Sequence, residues 1–184
     1  MRGKTFGVAL AGCLTLAFFL FSTAANAEPK VGKKVNLKFS KTMSADDQNY
    51  LGLAKPGPFS RKDIKAPYLL VEVFSTGCSH CQAGAPAMNN FFQLVSQNPN
   101  LKDKLKVIGV GFQDNEFKLM YWKQNFETRF PLVADLEGDV FRAVDAGGTP
   151  TTIVLDQDGK IVFVHEGVFK KAEDFLQELM PVLK

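Results

Sequence analysis

The sequence predicts an α/β domain in which a mixed central sheet carries helices on both faces. Three observations predict it. An apolar run at residues 68–74 stops at Ser75-Thr76-Gly77 and hands over to a helical pattern, and a second apolar run follows at 106–112. Strand, helix and strand in that order make a right-handed βαβ unit with parallel strands. Residues 151–155 and 161–165 are two more strand patterns, joined by the hairpin turn Asp156-Gln-Asp-Gly-Lys160 and followed by a helical pattern. The length, 184 residues, and a composition of 46% hydrophobic and 22% charged residues fit one globular domain with an extension.

Taken in order, residues 28–34 are rich in Lys and read as a loose mature N-terminus. Residues 35–39 alternate apolar and polar, the pattern of a half-buried strand. The polar stretch 41–47 reads as a turn and residues 50–54 as a second short strand, so that the front third, 28–67, is a β-hairpin extension on a core at 68–184. Lys55-Pro56-Gly57-Pro58 is a loop, and 60–67 a helical turn or loop. Within the core, Glu72 alone breaks the apolar run of a buried strand. The helix from Cys78 to Val95 puts Met88, Phe91, Phe92 and Val95 on one face, and Pro86 should kink it. Residues 113–116 suit a helix cap, and Phe117, Met120, Tyr121 and Trp122 follow it. Residues 131–135 read as a short strand, 138–144 as a short helix, and 170–183 as the last helix. The count is about four core strands.

Residues 1–27 read as a secretory signal: Arg2 and Lys4 precede an uncharged apolar stretch, and Ala25-Asn26-Ala27 has the form of a cleavage site. An uncleaved membrane anchor is one alternative. A lipoprotein box at Leu10-Ala-Gly-Cys13 is another, disfavoured by the apolar residues after Cys13. Each places the domain in the periplasm or otherwise outside the cytoplasm. After cleavage no membrane span is expected. The net charge of +3 includes Arg2 and Lys4, which leaves the mature chain near +1 and gives no reason to expect nucleic acid as a partner.

The mature chain keeps two cysteines, Cys78 and Cys81. A disulfide between them would close almost no loop and so stabilise little. Chemistry explains the pair better. A cysteine at the start of a helix meets unpaired N–H groups that favour its thiolate. Cys78 is therefore the expected nucleophile, forming a mixed disulfide that Cys81, one turn on, resolves. A protonated His80 near the Cys78 sulfur would favour the thiolate further. Glu72, buried beneath the cysteines, should have a raised pKa and take the proton of Cys81. The ordinary alternatives are a solvent-facing His80 and a structural or edge-strand Glu72.

With Cys78-Ser-His-Cys81 behind a strand, Pro86 five residues after the second cysteine, Glu72 six before the first, and Gly148-Thr149-Pro150 ahead of the last hairpin, the chain resembles the thioredoxin superfamily. Within it, the sequence is most similar to the extracytoplasmic thiol–disulfide oxidoreductases of the TlpA and ResA type, over roughly residues 50–184. The resemblance implies a thioredoxin-like fold and a central strand–helix insertion at 113–144. It implies a cis peptide bond before Pro150, a loop that packs on the disulfide, and a Thr149 backbone that binds extended substrate. It implies protein thiols or disulfides as substrates, a membrane electron-transfer partner for a reductant, and no cofactor. Gly77 departs from the family, which usually has an aromatic residue there, and His80 resembles oxidising DsbA-type proteins, so the direction of electron flow stays open. The rival functions are a copper or zinc carrier using the same cysteines, with His80 and His165 as further ligands, a passive interaction domain, and a thiol peroxidase.

Overall fold

A computed structural model describes Gly3 and residues 28–39 and 43–184. The expected signal, its cleavage site and Cys13 lie outside the described residues. The core is a five-stranded sheet of order β5-β4-β3-β6-β7, formed by β3 (Tyr68–Phe74), β4 (Leu105–Phe112), β5 (Leu132–Asp135), β6 (Thr151–Leu155) and β7 (Ile161–Glu166). β3, β4 and β5 run parallel, and β6 and β7 complete the sheet antiparallel. The fifth strand is the short one at 132–135, which joins the core sheet beyond β4 instead of standing outside it. The fold is thioredoxin-like.

Helices α2 (Ser79–Gln97), α3 (Glu116–Asn125) and α5 (Ala172–Leu179) cover one face. Their residues Met88, Phe91, Leu119, Trp122 and Phe175 share a core with Leu70 and Phe74 of β3. Trp122 is buried with its ring 4.7 Å from Phe74, a packing residue as expected. The last helix is shorter than its pattern, ending at Leu179 and continuing as the 3₁₀ turn Met180–Val182, where Pro181 cannot supply the backbone N–H of a further α-turn. The short helix α4 (Asp139–Ala143) serves the opposite face.

The front of the chain differs from the expected hairpin. Strand β1 is only Lys38–Phe39 and pairs antiparallel with β2, Phe59–Ser60, not with residues 50–54. Between them lies α1, Ala45–Leu51. Ser44 caps it, its Oγ accepting from the Asp47 N–H at 3.1 Å. Gly52, at φ 69°, ends it in the left-handed conformation. Residues 45–47 of the polar stretch read as a turn are thus the first turn of a helix, and Tyr50 and Leu51 are its last residues.

Residues 28–34 are also not loose throughout. The Gly32 N–H donates to the Ile161 carbonyl at 2.8 Å, the Ile161 N–H returns a bond to Lys33, and Lys33 Nζ meets Asp145 at 2.6 Å. Gly159 permits this approach: it sits at φ 79°, and a Cβ there would strike the Val35 carbonyl. The extension buries Val35, Leu37, Phe39, Leu51 and Phe59 against Leu69, Val71 and Val73. It covers a sheet face that would otherwise lie open beside α4. Arg61, 2% exposed, fixes the entry to β3 by donating to the carbonyls of Ile64, Ala66 and Pro67.

Candidate active site

The parallel strands end where β3 gives way to Ser75-Thr76-Gly77. The Cys78 N–H closes that turn on the Ser75 carbonyl at 3.1 Å, and Cys78 becomes the N-cap of α2 with extended dihedrals. Its sulfur accepts the Cys81 backbone N–H at 3.2 Å and lies 3.3 Å from the Thr149 carbonyl, to which the thiol donates. The helix start therefore supplies the bond that the sequence argument expects. Partial burial pushes the Cys78 thiol up, but hydrogen bonds from the Cys81 side chain and backbone, the Thr149 side chain and the His80 backbone outweigh it and leave it below the ordinary thiol value. Cys81 is 1% exposed. Burial, with the neighbouring Cys78, pushes it up to about 12. One sulfur is thus partly exposed with its thiolate form favoured, and the other is held as a neutral thiol beneath it.

Thr149–Pro150 is cis. Its loop is held by the Gly167 N–H on the Pro150 carbonyl at 2.9 Å and by Thr151 Oγ1 on the Gly148 carbonyl at 2.7 Å. A cleft of about 290 Å³ lined by residues 147–151, Glu166 and Gly167 flanks it. Gly77 is exposed, with nothing within 4 Å of where a Cβ would stand, so the rim where the resemblance implies an aromatic residue is open here.

Glu72 is buried on β3. It alternates with Leu70 and Phe74, which pack in the same cluster as Cys81, so its side chain lies on the α2 face of the sheet. Burial is the cause that raises its carboxyl from 4.5 to about 7. His80 is exposed in the first turn of α2, and what reaches the Cys78 sulfur is its backbone N–H. His165 does not join the cysteines. Its ring sits edge-on to Phe169 and Phe175, with Nδ1 3.6 Å from Glu178. Among the described residues no cluster of three or more His, Cys, Asp or Glu side chains could hold a metal.

Sequence reasoning missed Asp114. Fully buried, it accepts the Thr76 N–H and hydroxyl, both at 2.7 Å, and Lys118 Nζ lies 3.1 Å away. Gln82 Nε2 holds the Thr76 carbonyl at 2.8 Å. These bonds fix the turn that carries Cys78. Asp114 sits in the polar stretch read as a helix cap, but the cap itself is Asn115, whose Oδ1 accepts the Lys118 N–H. Nothing local distinguishes the two residues.

The profile of the Redoxin family matches residues 30–179. The chain belongs to that family. Among curated relatives, this Redoxin-family chain is 24% identical over 123 residues to the thiol-disulfide oxidoreductase ResA of Bacillus cereus, covering 65% of this chain and 68% of ResA. It is 27% identical over 117 residues to the thioredoxin-like protein YneN of Bacillus subtilis, covering 62% and 65%. Among solved structures, StoA from Bacillus subtilis superposes with a TM-score of 0.58 at 15% identity over 79% of this chain and 97% of StoA. A Chlorobium tepidum structure described as a putative thiol:disulfide interchange protein DsbE gives 0.65 at 18% identity over 85% and 100%. The resemblance read from the motifs holds: this is a TlpA/ResA-like member of the thioredoxin superfamily, and an enzyme of the thiol–disulfide oxidoreductase type.

Proposed function

We propose that this Redoxin-family protein exchanges disulfides with protein substrates outside the cytoplasm, with Cys78 as nucleophile and Cys81 as resolving thiol. The observation that carries the reading is the Cys78 sulfur at the start of α2, accepting the Cys81 N–H while touching the Thr149 carbonyl. The Cys78 thiolate attacks one sulfur of a substrate disulfide, forms the mixed disulfide and expels the other sulfur as a thiolate. Cys81 then gives its proton to Glu72 and attacks the Cys78 sulfur. The second substrate thiolate leaves, and Cys78 and Cys81 remain joined. The substrate gains two electrons and the pair loses two. Run backward, the same steps oxidise a substrate dithiol. Thr149 and Pro150, beside an open rim at Gly77, bind the substrate chain next to the reacting sulfur.

The extracytoplasmic placement rests on the expected signal at residues 1–27. No helix of the described residues is long and apolar enough to cross a membrane. A reductant in that compartment draws electrons from a membrane partner. A copper or zinc carrier would need ligands beyond the two cysteines, and His165 lies elsewhere.

Equilibrating the domain of residues 28–184 against glutathione and dithiothreitol buffers tests the reading. A potential near about −270 mV makes the pair a reductant, and one near about −120 mV makes it an oxidant. A pair that does not exchange with either buffer refutes the assignment.

A further inference from the structure

The sheet register sets four residues side by side on the α2 face: Gly109 of β4, Glu72 of β3, Thr152 of β6 and His165 of β7. Residues directly opposite in neighbouring strands point to the same face with Cβ atoms roughly 4.5–5.5 Å apart. The rows beside this one are apolar, with Leu70 opposite Val154 and Val154 opposite Phe163. A polar file therefore crosses a hydrophobic layer.

The file is closed at one end and open at the other. At Gly109 there is no side chain, and the place of a Cβ is taken by Leu132, Phe130 and Phe74. At the far end, His165 stands on the edge strand with its side chain 21% exposed and Nδ1 3.6 Å from Glu178, itself 54% exposed. Between these ends, Glu72 and Thr152 line one small cavity with Gly84, Pro150, Gly167, Val168 and Phe169. It offers about 10 Å³ for the centre of a water molecule, roughly the room one bridging water requires. The ionisable groups near the file are few. Cys81 of α2 packs in the cluster of Leu70 and Phe74 on either side of Glu72, Glu178 of α5 faces His165, and the α2-facing residues of β4 and the Gly167–Phe169 segment add none, Lys106 lying on the other face of β4.

We propose that Thr152 and His165 are the route by which Glu72 exchanges its proton with solvent. The inference rests on Glu72 as the acceptor for Cys81. Once Glu72 has taken that proton, it must lose it before the next cycle, and it is buried. Its carboxyl hands the proton to a water in the cavity. The Thr152 hydroxyl accepts one proton from that water and donates its own to the His165 imidazole. The imidazolium, held beside Glu178, releases it to solvent. One proton leaves for each disulfide resolved, and no further reactant is needed. Thr152 and His165 act through Glu72 and are positioning residues.

Stopped-flow reaction of the reduced full domain with 5,5′-dithiobis(2-nitrobenzoate) at about pH 6 tests this, because there the Glu72 carboxyl starts protonated and must release that proton along the route before it can take the one on Cys81. The first thiolate release reports attack by Cys78 and the second reports resolution by Cys81. Thr152→Val and His165→Gln should each slow the second release by roughly fivefold to tenfold, the scale of one lost hydrogen bond. They should also shift its pH profile. Thr152→Ser should restore it, and added imidazole should rescue His165→Gln. In a Glu72→Gln background neither change should have a further effect. A Thr152→Val protein with the parent second phase and pH profile, or one whose slowing persists in the Glu72→Gln background, overturns the route. A Glu72→Gln protein with a normal second phase overturns the Glu72 assignment itself and the route with it.

Discussion

Glu72→Gln should make the reduced fold more stable at high pH and remove its main loss of stability between about pH 4.5 and 7. The carboxyl titrates near 4.5 when exposed and near 7 in the fold, because burial disfavours its charge. In that window the folded state holds a proton that the unfolded state has released. Stability is therefore fully present below about 4.5 and falls by about 1.4 kcal/mol per pH unit as pH rises to about 7. Above 7 the loss is complete, on the order of 3 kcal/mol. Glutamine keeps the shape and cannot ionise. Any cost of burying its amide is a constant offset, so the slope of the difference carries the result. Urea unfolding at a series of pH values measures it. A Cys78→Ser/Cys81→Ser background removes the thiols from the titration. Parallel stability curves for the parent and Glu72→Gln proteins in that background would refute the burial argument.

Three other outcomes follow from the same site. Cys81→Ser should accumulate a stable mixed disulfide on Cys78 with a substrate protein, seen as a mass increase that dithiothreitol removes, whereas Cys78→Ser should form none and lose exchange activity. Iodoacetamide should label Cys78 with an inflection below the ordinary thiol range and leave Cys81 unlabelled until strongly alkaline pH, as peptide mapping across a pH series would show. Asp114→Ala strips two hydrogen bonds from the turn that carries Cys78 and leaves the Thr76 N–H and hydroxyl without that acceptor. It should cost about 2–4 kcal/mol in urea unfolding and slow exchange with protein substrates.

The parts of this fold legible in the sequence are those whose physics is local. An apolar run, a three-residue turn and the start of a helical pattern mark Cys78 at a helix N-terminus from neighbouring residues alone, and Asp156-Gln-Asp-Gly-Lys160 turns β6 into β7 on its own. The helix at Ala45–Leu51 was equally local, yet its seven residues are too few for a periodic signal, and the Ser44 cap reads like any polar turn. What stayed hidden was long-range. Asp114 acts on Thr76 across 38 positions. Arg61 is buried by a chain that folds back over it. Thr152 and His165 acquire meaning only when the register sets them beside Glu72, and no periodicity within one strand reveals which strand will lie next to it. The thin front layer is the same case, since two two-residue strands make a contact only the folded chain defines.

In the proposed cycle, the split between the two cysteines gives a buried acid its use. While Cys78 is free, a thiol held near 12 is almost wholly protonated at neutral pH, and burial, the largest cause, persists in the mixed disulfide, so a nearby base would speed resolution. A base works best when its own pKa lies near the working pH. An exposed carboxylate near 4.5 would be too weak, whereas Glu72 near 7 is matched to the task. The timing follows from the same interactions. Part of what raises Cys81 is the charge on Cys78, and that charge vanishes once Cys78 is tied to substrate. Cys81 thus becomes easier to deprotonate only after the mixed disulfide has formed. In the proposed cycle the fold thus keeps Cys81 protonated until there is a bond for it to break.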